Sequence, residues 1–141
     1  MVSRGIACRP GLAAALTGCL LVAAGCSRQP AGPARFAVSG SVTFAGQPVP
    51  VGRISFEPDT AAGNSGPAGY GSIVAGRYST YPTMGAVKGP QVVRISGSDG
   101  KPFGELTDGK PLFPDYTTSA DVPAAAATID FVVESDVAGK K

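Results

Sequence analysis

Glycine and proline interrupt this chain at short intervals, and their spacing is the strongest constraint on its fold. The 141 residues include 20 Gly and 13 Pro, the two residue types that most often end helices and mark turns. No long window keeps the apolar spacing of a helix, and the alanine run at 124–127, which follows Pro123, is too short to form one. The chain is therefore predicted to be one small all-β domain.

Between these breaks, apolar and polar residues alternate with a period of two. In the segment 36–44 one side of the predicted strand carries Phe36, Val38, Gly40, Val42 and Phe44. The same pattern predicts strands at 53–57, 70–75, 77–81, 92–98 and 128–134, with a seventh near 112–116. Ala75 and Gly76 are expected to form the hairpin turn, in which Gly76 supplies a positive φ. Such strands favour an antiparallel β-sandwich.

The alternation also predicts which side chains are buried and which segments are exposed. The loops at 60–69 and 98–114 lack a regular apolar pattern and are the expected contact surfaces. The predicted core consists of Val38, Val42, Phe44, Ile54, Phe56, Tyr78, Val93, Ile95, Phe131 and Val133.

The first 25 residues have the pattern of an export signal rather than of a folded segment. Arg4 and Arg9 form a basic start without acidic residues, and an apolar stretch follows at 12–24. That stretch is shorter than the roughly 20 apolar residues of a membrane-spanning helix, and Thr17 and Gly18 interrupt it. Cleavage, rather than a permanent span, is expected.

The signal ends in the sequence L-V-A-A-G-C at 21–26, which is similar to the lipobox of bacterial lipoproteins. The resemblance implies that the Cys26 thiol receives a diacylglyceryl group and becomes the first mature residue. A second match ends at Cys19, but cleavage there would leave the apolar segment 20–25 on the mature protein. The alternative is ordinary cleavage of a soluble secreted protein.

The cysteine count agrees with lipid attachment at Cys26. The other two cysteines, Cys8 and Cys19, lie within the predicted signal, so the mature chain keeps one thiol and has no intramolecular disulfide. Palmitate-type acyl chains, two or three per molecule, would give stable anchoring, because one chain alone binds a bilayer only marginally. Ser27 rather than Asp after the cysteine favours the outer membrane, where the cell has one.

Residues 26–35 are predicted to be a tether between the lipid and the domain. They contain two prolines and no aromatic residue. Of the 12 basic residues, Arg4 and Arg9 lie in the signal, so the chain from Cys26 onward has as many acidic as basic residues. This balance gives no reason to expect a nucleic-acid partner.

Segments 40–58, 75–78, 85–97, 113–116 and 128–133 together resemble a carboxypeptidase-regulatory-like domain. Their sequences are GSVTFAGQPVPVGRISFEP, AGRY, GAVKGPQVVRISG, FPDY and TIDFVV. The sequence as a whole is similar to those of planctomycete lipoproteins. The resemblance implies a seven-stranded transthyretin-like sandwich, of the prealbumin or Ig-like type, at 36–135, followed by a tail at 136–141. Gln91 departs from the family, which often has an aromatic residue at that position.

The same resemblance implies a module without catalytic residues, metal ligands or cofactor.

The composition independently limits the possible chemistry. The chain has no His, which excludes Ser-His-Asp triads and histidine-bound zinc. The near-repeats S-D-G-K-P at 98–102 and T-D-G-K-P at 107–111 are predicted to be turns rather than calcium loops, because a lysine follows each Asp-Gly pair. No enzyme activity is expected.

Two further features bear on function. Tyrosines can stack on sugar rings, although burial in the core is the more common role of such residues; the candidates are Tyr70, Tyr78, Tyr81 and Tyr116. The acidic residues of the C-terminal third are scattered rather than paired; they are Asp115, Asp121, Asp130 and Glu134.

The sequence thus predicts an exported, lipid-anchored protein of the cell envelope whose β-sandwich is a structural or interaction module. The partner would be an envelope protein or a polysaccharide. Exposed coplanar tyrosines would favour the alternative, a surface carbohydrate-binding module. Two facing carboxylates in a cleft would favour a small envelope hydrolase.

Overall fold

A computed structural model describes residues 32–136 of the chain. The predicted signal peptide, the predicted lipidation site at Cys26 and most of the predicted tether lie outside these residues. Within the described part the secondary structure is almost entirely strand and turn: β1 (Arg35–Phe36), β2 (Val38–Phe44), β3 (Gln47–Pro48), β4 (Val51–Pro58), β5 (Gly69–Val74), β6 (Arg77–Thr80), β7 (Ala86–Val87), β8 (Gly89–Ser98), β9 (Tyr116–Val122), β10 (Ala127–Thr128) and β11 (Phe131–Val133). The all-β prediction is confirmed.

One curled sheet forms most of the domain. Its strands follow the order β10-β2-β6-β5-β4-β8-β9, while β3 and β11 also pair with β2. A separate two-stranded ladder joins β1 to β7, with Arg35 opposite Val87. Within residues 32–136 the first strand thus begins at Arg35, the last residue of the predicted tether.

The strand predictions succeed where alternation is strong. Ile54 and Phe56 on β4, and Val93 and Ile95 on β8, all point into the core. The β5–β6 hairpin turns at Ala75 and Gly76, whose φ angles of 49° and 75° are both positive, as the two-residue hairpin turn with the matching twist requires.

The last strands differ from the predicted antiparallel arrangement. β10 and β11 both run parallel to β2, with Phe131 opposite Val42. The predicted single strand at 128–134 is broken at Ile129 and Asp130. A sandwich with only antiparallel pairs is therefore not what this chain forms.

A close approach of backbones explains the break. A Cβ atom on Gly40 would overlap the carbonyl oxygen of Ile129, so only glycine lets the two segments lie this close. The Tyr78 hydroxyl donates a hydrogen bond of 2.7 Å to the same oxygen. One carboxylate oxygen of Asp130 accepts hydrogen bonds from the amide and hydroxyl of Ser41, at 2.7 and 2.9 Å.

The predicted seventh strand also needs correction. Residues 112–115 form no strand, and β9 begins at Tyr116 and runs to Val122. Val122 is the one fully buried side chain of β9, whereas Thr117, Ser119 and Asp121 are exposed. A strand so poor in apolar residues has no recognisable alternation.

Nine of the ten predicted core residues are buried, and Phe44 is partly buried. Phe56, Tyr78 and Phe131 form an aromatic cluster with ring centroids 6.0–6.2 Å apart. The prediction omitted several buried residues, which lie in β5, β7 and β9 and in loops: Val49, Ile73, Ala86, Val87, Phe113 and Val122.

Acid is expected to weaken the junction at Asp130. The hydrogen bonds from Ser41, and secondarily the charge of Arg77, lower the pKa of Asp130. A lowered folded-state pKa adds stability above the unfolded-state pKa of about 3.9, and that stability is lost as pH falls through the folded-state value. We expect Asp130→Asn to be less stable than the parent at pH 7, with the difference shrinking toward pH 3 in thermal melts. An unchanged difference across this range would contradict the pKa assignment.

Candidate functional site

The site predicted with most detail, Cys26, lies outside the described residues. Over residues 32–136 no helix is long and apolar enough to cross a membrane. The arrangement of Cys26 and the lipobox thus stays a prediction from sequence. The described domain offers a different kind of site, on the outer face of its curled sheet.

The four tyrosines separate into two groups. Tyr78 is 4% exposed and belongs to the core, and Tyr116 is half-buried against it. Tyr70 and Tyr81 are 47% and 46% exposed, and they are neighbours, because the Tyr81 amide donates to the Tyr70 carbonyl at 2.9 Å. This second pair is the more exposed one and the better placed to contact a ligand.

Tyr70 and Tyr81 border a groove of about 480 Å³ that runs over β5, β4 and β8. This volume lies within the roughly 300–1,000 Å³ of typical small-molecule sites. Arg53, Ser55, Arg94 and Ser96 are on the outer face of their strands. The lining residues are Arg53, Ile54, Ser55, Tyr70, Gly71, Tyr81, Met84, Arg94, Ile95, Ser96 and Asp115.

Local hydrogen bonds fix the aromatic side of this groove. The hydroxyls of Tyr81 and Ser72 lie 2.6 Å apart, within hydrogen-bond distance. The Met84 amide donates to the Tyr81 carbonyl at 2.8 Å, and the Tyr70 amide donates to the Met84 carbonyl at 3.0 Å. The turn after β6 therefore holds Met84 beside the two tyrosines, which gives this wall a defined shape before any ligand arrives.

The two arginines of the groove are in different electrostatic states. Arg94 Nε contacts Glu57 Oε1 at 3.1 Å, in an ion pair whose side chains are 55% and 42% exposed. Arg53 makes no side-chain hydrogen bond or ion pair with any residue in the range 32–136. The Arg53 guanidinium is therefore the free cation of the groove within the described chain.

A second groove of about 390 Å³ shares Arg53 and Ser96 with the first. These two residues are opposite each other on β4 and β8. The loop that follows β8 forms the other wall of this second groove. Its lining residues are Gly52, Arg53, Ser96, Ser98, Glu105, Leu106, Thr107, Asp108, Gly109 and Pro111. The two grooves thus meet at Arg53.

The two Asp-Gly repeats build this loop together. Asp99 Oδ1 accepts hydrogen bonds from the backbone amides of Lys101 and Lys110, both at 3.0 Å. These bonds lower the pKa of Asp99, with smaller contributions from the two lysine charges. A Cβ on Gly109 would overlap Asp99 Oδ1. Asp99 of the first repeat thus packs against Gly109 of the second repeat, and its role in the loop is structural.

The acidic residues are distributed over separate places. Asp115 is the one carboxylate that lines the first groove, Asp130 binds Ser41, and Asp121 lies on the exposed face of β9. Glu105 and Asp108 both line the second groove, on the same loop. In the described part no three His, Cys, Asp or Glu side chains gather into a possible metal site.

Of the two loops predicted as contact surfaces, 98–114 contributes to the second of these two grooves. Loop 60–69 lines neither, and the Asn64 side-chain amide ties it to the backbone by donating to the carbonyls of Lys88 and Pro90, at 3.1 and 2.8 Å. Sequence reasoning missed Arg53, Arg94 and Met84 as groove residues. The signal available for the arginines was their outward position in the alternating strands.

Comparison with known proteins identifies no relative. No protein-family model matches the chain, and no curated protein or solved structure matches it. The paired grooves and the N-terminal sequence are therefore the features from which a function can be inferred.

Proposed function

We propose that this chain is a lipoprotein of the cell envelope, anchored through lipid on Cys26, whose β-domain is a non-catalytic interaction module. The proposal combines the L-V-A-A-G-C sequence at 21–26 with a domain whose first described strand starts at Arg35. An extended chain spans at most about 3.5 Å per residue. The short segment between them would therefore keep the domain close to the membrane surface. Outer-membrane placement, where such a membrane exists, belongs to the same proposal.

We further propose that the domain is a variant of the transthyretin-like sandwich. The curled sheet encloses one core, and the hairpin at 75–78 carries A-G-R-Y, one of the segments on which the resemblance to that family rests. Seven strands follow one another along the main path of the sheet within residues 32–136. β10 and β11 pair with β2 in parallel, which departs from the antiparallel sandwich predicted from the sequence.

The observation that carries the interaction proposal is the pair of grooves that meet at Arg53. Together they form a continuous concave surface from Tyr70 and Tyr81 to the loop at 105–111. Concave surfaces with a few polar groups on a rigid sheet are typical binding sites. A structural spacer without a partner would need no such surface.

A second candidate function is carbohydrate binding, and the exposed Tyr70 and Tyr81 favour it. Each side chain presents aromatic surface to solvent beside small polar residues such as Ser55. Sugar rings offer an apolar face for aromatic contact and hydroxyls for hydrogen bonds. An envelope polysaccharide would then be the partner.

The anchoring part of the proposal is tested by the intact mass and membrane partitioning of the protein expressed in a bacterial host. We expect the native protein to begin at Cys26, to carry diacylglyceryl and acyl mass, and to partition into detergent with the membrane fraction. The Cys26→Ala variant should carry no acyl mass and leave the membrane fraction, because burial of each acyl CH₂ contributes about 0.8 kcal/mol.

Cys19→Ala is the matched control, since it removes the other possible lipobox cysteine and should behave as the native protein. Loss of lipid in Cys19→Ala instead would move the anchor to residue 19. An unlipidated, soluble native protein would refute the anchor and leave a secreted ligand-binding domain.

A further inference from the structure

The predicted tether joins the domain beside exposed aromatic side chains. Arg35, where the first described strand begins, donates hydrogen bonds from Nη1 to the carbonyls of Ala68 and Gly85, at 3.2 and 3.3 Å. Tyr70 follows Ala68 by two residues, and Met84 directly precedes Gly85. The point of attachment is thus fixed to both chain segments that carry the exposed side chains.

Those side chains form one surface, the tether-end patch, which consists of Tyr70, Tyr81 and Met84. All three are 45–47% exposed. The backbone amide of each donates to the carbonyl of another of the three, at 2.8–3.0 Å, so the patch is held together by the backbone. Tyrosine combines an apolar ring with a hydroxyl, the combination that is enriched where a bilayer meets water.

A second pair of exposed apolar side chains lies at the opposite end of the domain. Phe103 and Leu106, which are 60% and 50% exposed, belong to the loop that follows β8. β8 begins at Gly89, close to β7, and β7 pairs with the tether-end strand β1. The ten residues of β8 span about 30 Å, at about 3.3 Å per residue. The two apolar surfaces are therefore well separated, and the tether enters beside the first.

From this placement we propose that the tether-end patch rests on the bilayer that anchors the protein. The rings of Tyr70 and Tyr81 and the side chain of Met84 lie in the interfacial layer of the lipid. The chain from Cys26 to Arg35 reaches at most roughly 30 Å when extended, so the bilayer meets the tether end of the domain before the far loop. This inference rests on the proposed lipid anchor and names the surface that the domain contacts.

The anchor also explains how so small a patch can be sufficient. A tethered contact is intramolecular, and the short linker gives it a high effective concentration, so three side chains can hold an orientation that they could not hold from solution. A stable complex with a separate protein buries a far larger area. Exposed apolar patches of this kind are typical of interaction surfaces, membranes among them.

The charges of the neighbouring groove do not decide the partner. Asp115 lines that groove with Arg53, and Glu57 pairs with Arg94, so the contact is attributed to apolar side chains and should form on lipid without net charge. The same tyrosines are the ones that favour carbohydrate binding. Their position beside the tether favours the bilayer instead, because a polysaccharide would reach the end that points away from the membrane more easily.

The test attaches the predicted mature chain, 26–141, to vesicles through its single thiol. The other two cysteines lie in the predicted signal, so a maleimide-bearing phospholipid couples at Cys26 alone and supplies the anchor chemically. The chain has no tryptophan, so Tyr81→Trp and Phe103→Trp each introduce one fluorescent reporter, at opposite ends of the domain. The vesicles are phosphatidylcholine, with or without bromine on the acyl chains, because bromine quenches tryptophan that it contacts.

We expect attachment to shift the emission of Tyr81→Trp to shorter wavelength and brominated lipid to quench it, whereas Phe103→Trp should retain its emission in solution. Adding Tyr70→Ser and Met84→Ser to Tyr81→Trp should remove most of this quenching, because the contact loses its apolar surface. Leu106→Ser in the same background is the matched control, since Leu106 is as exposed but lies on the far loop. Thermal melts confirm that each variant is folded.

Four results would overturn the inference. Equal quenching of the two reporters would mean that the anchored domain has no preferred orientation. Stronger quenching of Phe103→Trp would assign the contact to the far loop. Quenching of Tyr81→Trp that survives Tyr70→Ser and Met84→Ser would come from the short tether alone. Quenching of neither reporter would refute lipid contact and leave the tyrosines to a carbohydrate.

The chemical anchor separates these outcomes from the proposed function. Failure of lipidation at Cys26 in cells would appear in the intact-mass experiment, and it would leave the vesicle result unaffected. A lipidated protein whose reporters behave alike would in turn keep the anchor and lose only the orientation.

Discussion

Phe56→Ala is expected to destabilise the domain by about 3–5 kcal/mol, the usual cost of removing a buried phenylalanine ring. Phe56 is a fully buried residue of β4. Its ring packs against Tyr78 of β6 and Phe131 of β11, with centroids 6.1 and 6.2 Å away. Its loss would leave a cavity between three strands that come from distant parts of the sequence.

Such a loss is a large part of the 5–15 kcal/mol that stabilises a typical domain. Urea denaturation followed by circular dichroism measures it, since the chain has no tryptophan to report by fluorescence. Phe103→Ala is the control, because Phe103 is 60% exposed at a loop tip and its truncation should change stability by roughly 0.5 kcal/mol or less. Similar effects of the two substitutions would contradict the assigned core.

Gly40→Ala is expected to detach the C-terminal strands from β2. The added Cβ would overlap the Ile129 carbonyl oxygen and stand 2.7 Å from its carbon. Both contacts are with backbone, which cannot rotate away as a side chain can. We expect a loss of about 3 kcal/mol or more, at the upper end of the range for overpacking.

Hydrogen exchange locates this effect. In Gly40→Ala the amides of residues 127–133 should exchange much faster than in the parent, while those of β4 and β8 remain protected. Gly32→Ala provides the matched control, because a Cβ at Gly32 has no atom within 4 Å. Retained protection at 127–133 in Gly40→Ala would show that the backbones can separate without losing the strand pairing.

Local pattern predicted the strands whose inner face is apolar, because alternation along β2, β4 and β8 reports burial directly. β9 was misplaced because its inner positions are Tyr116, Thr118 and Ala120, which contact the core only in part. Residues 131–133 were recognised as strand, but their parallel pairing depends on the distant Gly40 and Ser41. No local pattern carries that information.

The grooves could be predicted only in part. Sequence reasoning singled out the tyrosines, but their separation into buried Tyr78 and exposed Tyr70 and Tyr81 follows from strand direction and position in the sheet.

The environment of Gln91 could not be predicted from the sequence either. Gln91 is fully buried, its side-chain amide donates to the carbonyls of Val87 and Gly89, and its Oε1 accepts no hydrogen bond. The sequence marks Gln91 as a departure from the family that the chain resembles, but it does not indicate that Gln91 is buried.

The parallel pairing of β11 with β2 also sets the order in which the domain can form during synthesis. Phe131, which completes the aromatic cluster with Phe56 and Tyr78, is synthesised long after β2, with which its strand pairs. A nascent chain that stops before residue 131 lacks this ring and one neighbour of its first long strand. Such long-range closure slows folding, so the aromatic core of the domain cannot close before residue 131 has been synthesised.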